Sequence, residues 1–476
     1  MAEFRVAEQL LRSRQLLLEF PRLAIQEDYR LQLRAPTAQV LQSVHIRSNV
    51  WVLQLLLNPF VLFLDVAEFV PHESRPSLPP LRDTVRRRQG VQCPYSRSDE
   101  QVTPHANAGA TDSVAVYLHI PFCPAKCGYC DFNSYAMRGD ILDRTMKAIV
   151  GEVQRSPHAG WPAKTIFFGG GTPTFVATDA LLELFDSVLA IHPPTADCEI
   201  TSEANPGTAD AEKFNAMRRA GFNRLSIGAQ SFDEAELTAL DRVHSPDEIH
   251  RAFELAREAG FENVNLDLMF ALPNQTVARW KRNLETALAL EPEHLSLYCL
   301  TIEPNTRFYR LHRRGLLPLP TDDAQRRMYE LTLDMTEGAG YRTYEISNFA
   351  RPGFECRHNL AYWRGEEYVA YGPGAVERVG NVRWTHIKHP ERYCDAVEQD
   401  LPLACESETL NKETLQFERV MLRLRTAEGL PVSPGDQLLT RAEPLIERGW
   451  LQAAEGTLRL TREGRHWCNR IVIELT

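Results

Sequence analysis

Cys123, Cys127 and Cys130 fall within eight residues, in the run Cys123-Pro-Ala-Lys-Cys127-Gly-Tyr-Cys130, directly after the apolar stretch Val114–Ile120. Three thiolates on one tight loop can each take a different iron of a 4Fe–4S cubane, and closely spaced cysteines commonly hold such clusters. The fourth iron then stays open to an outside ligand. The alternative is a structural zinc ion, with His119 as the fourth ligand in a three-sulfur, one-nitrogen set. The spacing by itself leaves both chemistries open.

A loop of this kind needs a scaffold, and the following sequence supplies one. From residue 113 onward, short apolar runs alternate with longer amphipathic stretches: Val114–Ile120, Thr165–Phe168, Cys198–Thr201, Arg224–Ile227, Val264–Phe270 and His294–Leu300. The intervening segments carry helical periodicity, as in Leu181-Leu182-x-x-Phe185-x-x-Val188-Leu189. Six strand–helix units predict an α/β fold built on a partial parallel (βα)6 barrel. The polar exceptions cluster at strand ends. The cysteines follow the first run, Gly169-Gly170-Gly171-Thr172-Pro173 the second, Glu203 the third and Gln230 the fourth, while Asp267 interrupts the fifth. Active sites of parallel barrels form on the rim at the C-terminal strand ends. A structural zinc ion does not predict that pattern.

S-adenosylmethionine can close the open iron through its amino and carboxylate groups. Holding it requires acceptors for an ammonium, a donor for a carboxylate, an acidic acceptor for ribose and a flat apolar surface for adenine. The glycine run lets backbone approach a ligand without an intervening Cβ, though three glycines more often mark a tight turn. Its carbonyls and Thr172 suit the ammonium, and Glu203 can complete that site or be a solvated loop acid. Arg242 offers a planar fork to a carboxylate, with Gln230 beside it; either is equally a surface residue when taken singly. Asp267 sits in an otherwise apolar run, and a buried acid needs a partner. Tyr129, between the second and third cysteines, can pack on adenine or simply fill the loop.

Five strings carry a family resemblance: Tyr117-Leu-His-Ile-Pro-Phe-Cys123, Phe168-Gly-Gly-Gly-Thr-Pro-Thr174, Glu203-Ala-Asn-Pro206, Ser226-Ile-Gly-Ala-Gln-Ser-Phe232 and Asp267-Leu-Met-Phe-Ala-Leu-Pro273. In this order they resemble the branch of the radical S-adenosylmethionine superfamily that contains oxygen-independent coproporphyrinogen III oxidases and HemW-type haem chaperones. The match runs from residue 113 to about 476. It implies a 4Fe–4S cluster on the three cysteines and S-adenosylmethionine held by Tyr117, Gly170, Gly171, Thr172, Glu203, Gln230, Arg242 and Asp267. Ala271 departs from the family, which usually has glycine there. The oxidases carry a fourth cysteine two places beyond the third, where this chain has Phe132, the chaperone pattern. His358-Asn359-Leu-Ala-Tyr362-Trp363 is similar to the chaperones' His-Asn-x-x-Tyr-Trp signature. The resemblance implies haem binding, with His358 ligating iron and Trp363 covering the macrocycle; Cys356 is a rival ligand. In Gly372-Pro-Gly-Ala-Val376-Glu377, relatives commonly have His-Ser after the alanine.

The implied function is a haem chaperone that passes haem to acceptor proteins, among them membrane-associated respiratory enzymes, and draws electrons from a reductant such as flavodoxin or ferredoxin. The alternatives are oxidative decarboxylation of coproporphyrinogen III in porphyrin biosynthesis and a zinc-bound module without redox chemistry. A formal net charge of −10 over 476 residues argues against nucleic-acid binding. Seven scattered cysteines outside the triad fit reduced thiols, hence a cytoplasmic location. Four segments are expected: an N-terminal extension and linker at 1–112, the barrel at 113–345, a haem-motif connecting region at 346–405 and a winged-helix-like domain at 406–476. The extension mixes acids with bases, unlike a transit peptide. Its apolar stretch Val50–Val70 is interrupted by Gln54, Asn58, Pro59 and Asp65, unlike a membrane span.

Overall fold

The computed structural model describes residues 113–208 and 210–476. The expected N-terminal extension lies outside the described residues. Six parallel strands, β1 (Val114–Ile120), β2 (Ala163–Gly170), β3 (Pro194–Ala204), β4 (Arg224–Gln230), β5 (Val264–Phe270) and β6 (His294–Cys299), pair in sequence order. The helices between them are α1 (Asp140–Gln154), α2 (Thr178–Ile191), α3 (Ala211–Ala220), α4 (Glu234–Ala239), α5 (Pro246–Glu258) and α6 (Val277–Ala289). Further along come α7 (Arg307–His312), α8 (Asp322–Gly338) and α9 (Arg357–Trp363). Helix α2 buries Leu181, Leu184, Phe185 and Val188, the stripe its periodicity dictates. Ser245 and Glu248 form a reciprocal capping box that fixes the start of α5.

The sheet is open. Beyond β6 it ends in two short antiparallel strands, β7 (Arg342–Thr343) and β8 (Asn348–Ala350), in the order β6-β8-β7. Beyond β1 it gains a seventh parallel strand, β9 (Tyr368–Tyr371), then antiparallel β10 (Val376–Val379), β11 (Val382–His386) and β12 (Ala404–Thr409). The segment expected as a connection therefore supplies strands to both edges of the barrel sheet.

The C-terminal part pairs β13 (Leu430–Pro431), β15 (Thr457–Leu460) and β14 (Leu451–Ala454) in a small antiparallel sheet, with helices at Lys412–Arg423, Gln437–Glu447 and Cys468–Leu475. Its hairpin turns at Glu455-Gly456, both at positive φ (52° and 69°), which matches the twist of a two-residue hairpin. Ion pairs Arg326–Glu463 (2.6 Å) and Arg462–Asp334 (2.7 Å) join this part to α8. Among the described residues, no helix is long and apolar enough to cross a membrane.

Candidate cofactor site

The barrel strands are buried almost throughout, and their exceptions define a lumen. In β1 and β5 the single half-buried residue is Tyr117 and Asp267 respectively, and in β6 the single exposed one is Tyr298. The last six residues of β3 are buried except Glu203, and β4 is buried except Gly228 and Gln230. A residue that stays solvated in the middle of a strand covered on its other face must point into the barrel. Tyr117, Glu203, Gln230 and Asp267 thus share one lumen.

The cysteine loop closes over the end of that lumen and is tied down by backbone. Cys123 N–H donates to Tyr135 (3.0 Å), Gly171 N–H to Ile120 (2.8 Å) and Thr172 N–H to Phe122 (2.7 Å). Asn133 Nδ2 donates to Pro373 (2.8 Å) and Lys388 (3.0 Å), so the Gly372-Pro-Gly374 turn backs the loop from beneath. The three cysteines are unpaired. Each sulfur receives a donor: Thr172 Oγ1 on Cys123 (3.6 Å), Arg242 Nη1 on Cys127 (3.6 Å) and Lys126 Nζ on Cys130 (3.8 Å). Burial pushes the Cys130 thiol up to about 11 and raises that of Cys123, so metal loading must displace protons.

His119, the fourth ligand in the zinc alternative, has both ring nitrogens engaged, Nδ1 with Tyr117 Oη (3.1 Å) and Nε2 with the Asn133 carbonyl (3.0 Å). With His119 engaged on both sides, the loop offers three thiols, a donor set that suits a three-cysteine cluster.

The glycine run serves the loop. A Cβ on Gly171 would lie 2.5 Å from the Phe122 carbonyl oxygen and 2.8 Å from that of Ile120. Gly170 N–H donates to Glu203 Oε2 (3.1 Å). Burial, and then the charge of Asp267, lifts the Glu203 carboxyl to about 8. Asp267 accepts from Ser226 Oγ (2.9 Å) and Asn265 Nδ2 (2.8 Å), yet burial still raises its pKa. Arg242 is half-buried, with Nη2 on the Gly228 carbonyl (2.7 Å) and Nε without a partner. A Cβ on Gly228 would meet Gln230 Nε2 at 3.0 Å and Arg242 Nη2 at 3.4 Å, so glycine leaves a cradle there. Gln230 holds φ at 63°, a left-handed conformation that aims it across the strand end. Tyr129 packs on Phe308, with ring centroids 6.2 Å apart. Ala271 takes φ of 60°, a left-handed conformation that glycine would adopt without a Cβ penalty.

The haem-motif helix packs beside the lumen, with the His358 ring centroid 6.2 Å from that of Tyr117. His358 is 2% exposed, with Nδ1 on Thr165 Oγ1 (2.8 Å) and Nε2 on Tyr362 Oη (3.0 Å). Burial lowers its pKa to about 3, so the imidazole is neutral. Its ring stacks on Phe167, 5.0 Å away. Trp363, expected to cover a macrocycle, is instead 2% exposed in a core formed with Val420, Met421 and Leu424. It has no free face in this arrangement. Cys356 is buried and donates to Glu199 Oε1 (3.5 Å). Tyr298 and Phe167 were not singled out from the sequence. For Tyr298 a signal existed, a phenol inside the apolar run of β6, the same kind of interruption that marks Asp267.

Residues 117–287 match the model of the radical SAM superfamily, and residues 410–467 match that of the HemN C-terminal domain. The chain is 37% identical over 370 residues to the haem chaperone HemW of Bacillus subtilis, covering 75% of this chain and 97% of the relative. It is 38% identical over 377 residues to that of Escherichia coli, with the same coverages. Among solved structures, coproporphyrinogen III oxidase (HemN) of Escherichia coli has a similar fold, with a TM-score of 0.67 at 23% identity over 77% of this chain and 91% of the oxidase. Cysteine loop, lumen ring and C-terminal domain all agree with that kinship, and the chain belongs to the HemW family of the radical SAM superfamily.

Proposed function

We propose that this protein holds a 4Fe–4S cluster on Cys123, Cys127 and Cys130, binds S-adenosylmethionine in the barrel lumen and carries haem to acceptor proteins. The observation that carries the cofactor reading is the pair Glu203 and Asp267. Two half-buried carboxylates share a lumen and neither forms an ion pair among the described residues, so the cavity favours a cationic ligand. A sulfonium amino acid supplies that charge. When bound, the cluster and cofactor together supply one-electron reductive cleavage of a carbon–sulfur bond.

The chain's own residues bind and orient. Glu203, Thr172 and the Gly170–Gly171 backbone take the ammonium, while Arg242, with Gln230, takes the carboxylate. Asp267 and Tyr117 hold the remaining polar groups, and Tyr129 walls the site beside the loop. Lys126, Thr172 and Arg242 direct donors at the sulfurs, which stabilises added negative charge on a cluster.

The haem reading rests on the relatives' name, on Phe132 in place of a fourth cysteine, and on His358. Its imidazole is neutral, the form that ligates iron. Ligation through Nε2 requires the Tyr362 hydroxyl to leave. Haemin affinity is therefore expected to fall about tenfold in His358→Ala and to rise in Tyr362→Phe, which frees that nitrogen. Haemin titration of both variants measures this, and unchanged affinity in both removes His358 from the haem site.

The oxidase reading is supported by the shared fold and by every cofactor residue. An anaerobic assay of reconstituted protein with reductant, S-adenosylmethionine and coproporphyrinogen III separates the two. Mass spectrometry is expected to find the tetrapyrrole unchanged. Loss of two carboxyl groups would make the protein an oxidase.

A further inference from the structure

Helix α7 and its exit carry four arginines between Pro304 and Thr321, namely Arg307, Arg310, Arg313 and Arg314, and no acid, in a chain of formal net charge −10. All four are exposed. Arg307 pairs with Asp241 (2.9 Å), whereas Arg310, Arg313 and Arg314 make no ion pair among the described residues. Leu316, at the end of the same segment, is 54% exposed. Unpaired like charges this dense repel one another and persist at a cost, so an anionic partner would relieve them.

Their position gives the patch its meaning. Phe308 N–H donates to the carbonyl of Gly128 (2.9 Å), and Gly128 lies between Cys127 and Tyr129. A Cβ on Gly128 would meet Asp241 Oδ2 at 2.5 Å and Arg307 Nε at 2.9 Å, so the helix rests directly on the cysteine loop. Arg310 lies in the same turn of helix as Phe308, and Arg313 and Arg314 follow directly after the helix ends at His312. Electron transfer between proteins weakens steeply with distance, which favours a donor docked beside the cluster ligands.

We propose that Arg310, Arg313 and Arg314, with Leu316, form the docking surface for a small acidic one-electron donor protein. The proposal rests on the cluster reading above. The donor loses one electron and the cluster gains one, with no bond made or broken. Arginine around an exposed apolar anchor is a frequent interface composition, and charge complementarity acts mainly on the association rate.

The test compares full-length reconstituted wild type with two triple variants, Arg310→Glu/Arg313→Glu/Arg314→Glu and the milder Arg310→Gln/Arg313→Gln/Arg314→Gln. Anaerobic stopped-flow follows cluster reduction by chemically reduced flavodoxin and, separately, by photoreduced deazariboflavin, an uncharged small reductant. Reduction of the wild type by deazariboflavin reports on the cluster reading by itself; the ratio of the two rates reports on the surface. At low salt the flavodoxin rate is expected to drop about tenfold or more in the glutamate variant and less in the glutamine variant. The deazariboflavin rate is expected to stay at the wild-type value, and salt should slow only the wild-type flavodoxin reaction strongly. Equal flavodoxin rates in all three proteins overturn the proposal. So does lost haemin affinity at an unchanged flavodoxin rate, which would assign the arginines to haem propionates.

Discussion

Gly171→Ala is expected to abolish cluster assembly. The added methyl would lie 2.5 Å from the Phe122 carbonyl oxygen, 2.7 Å from the Phe122 nitrogen and 2.8 Å from the Ile120 carbonyl oxygen. All three are backbone atoms at the junction of β1 and the cysteine loop, and no side-chain rotation can clear them. The same junction contains the hydrogen bonds Gly171–Ile120 and Thr172–Phe122, so relief of the clash lengthens the ties that hold the loop. Overpacking of this kind costs about 1–3 kcal/mol. That fraction of total stability leaves a folded barrel but displaces Cys123, which follows Phe122 directly. Iron and sulfide per chain after reconstitution should fall below about a tenth of the wild-type value, with a modest drop in melting temperature. Gly338→Ala, at a helical position with nothing within 4 Å of the new methyl, is the control and should leave iron content unchanged without lowering the melting temperature. Full iron stoichiometry in Gly171→Ala would sink the claim that this contact sets the loop.

The six central strands were legible because each contains a short, largely buried run at strand–helix spacing. The candidate site was legible for the complementary reason. Glu203, Gln230 and Asp267 are polar residues at places where a buried strand tolerates them only if they face a cavity. Three things were not legible. Strand β9 is four residues long and enters the sheet parallel to β1 after a helix, so neither length nor alternation announces it. The glycine run reads as a ligand cradle, but the atoms nearest a Gly171 methyl belong to the chain's own backbone, a contact between segments 49 residues apart. Trp363 next to His358 reads as a haem platform because sequence adjacency suggests a shared face. Five residues at ~100° each instead put the indole about 140° around the helix from the imidazole, in the C-terminal core, while the imidazole faces Thr165 and Tyr362.

Replacing Glu203 with glutamine is expected to weaken S-adenosylmethionine binding by about 10- to 100-fold, ~1.4–2.7 kcal/mol, and to flatten its pH dependence. Glutamine keeps the volume and can still accept from Gly170 N–H, so the change removes charge and little else. In the folded protein, burial and Asp267 lift the Glu203 carboxyl from 4.5 to about 8. Near neutrality the free site therefore holds a proton there, and a sulfonium amino acid favours its release. Wild-type affinity should rise with pH up to about 8 and then level off, whereas the glutamine variant should lack that rise. S-adenosylhomocysteine, which has no sulfonium charge, should lose less affinity in the variant than S-adenosylmethionine does. Stability without ligand runs the other way. The folded state binds this proton more tightly than the unfolded state, so its contribution is fully present below about 4.5 and is lost as pH rises through about 8. Glu203→Gln removes that loss, and the ligand-free variant should melt no lower than wild type above pH ~8. Calorimetric titration and thermal melts between pH ~6 and ~9 measure both arms. Equal affinity and equal pH slope in the two proteins would remove Glu203 from the cation site and leave Asp267 to carry it alone.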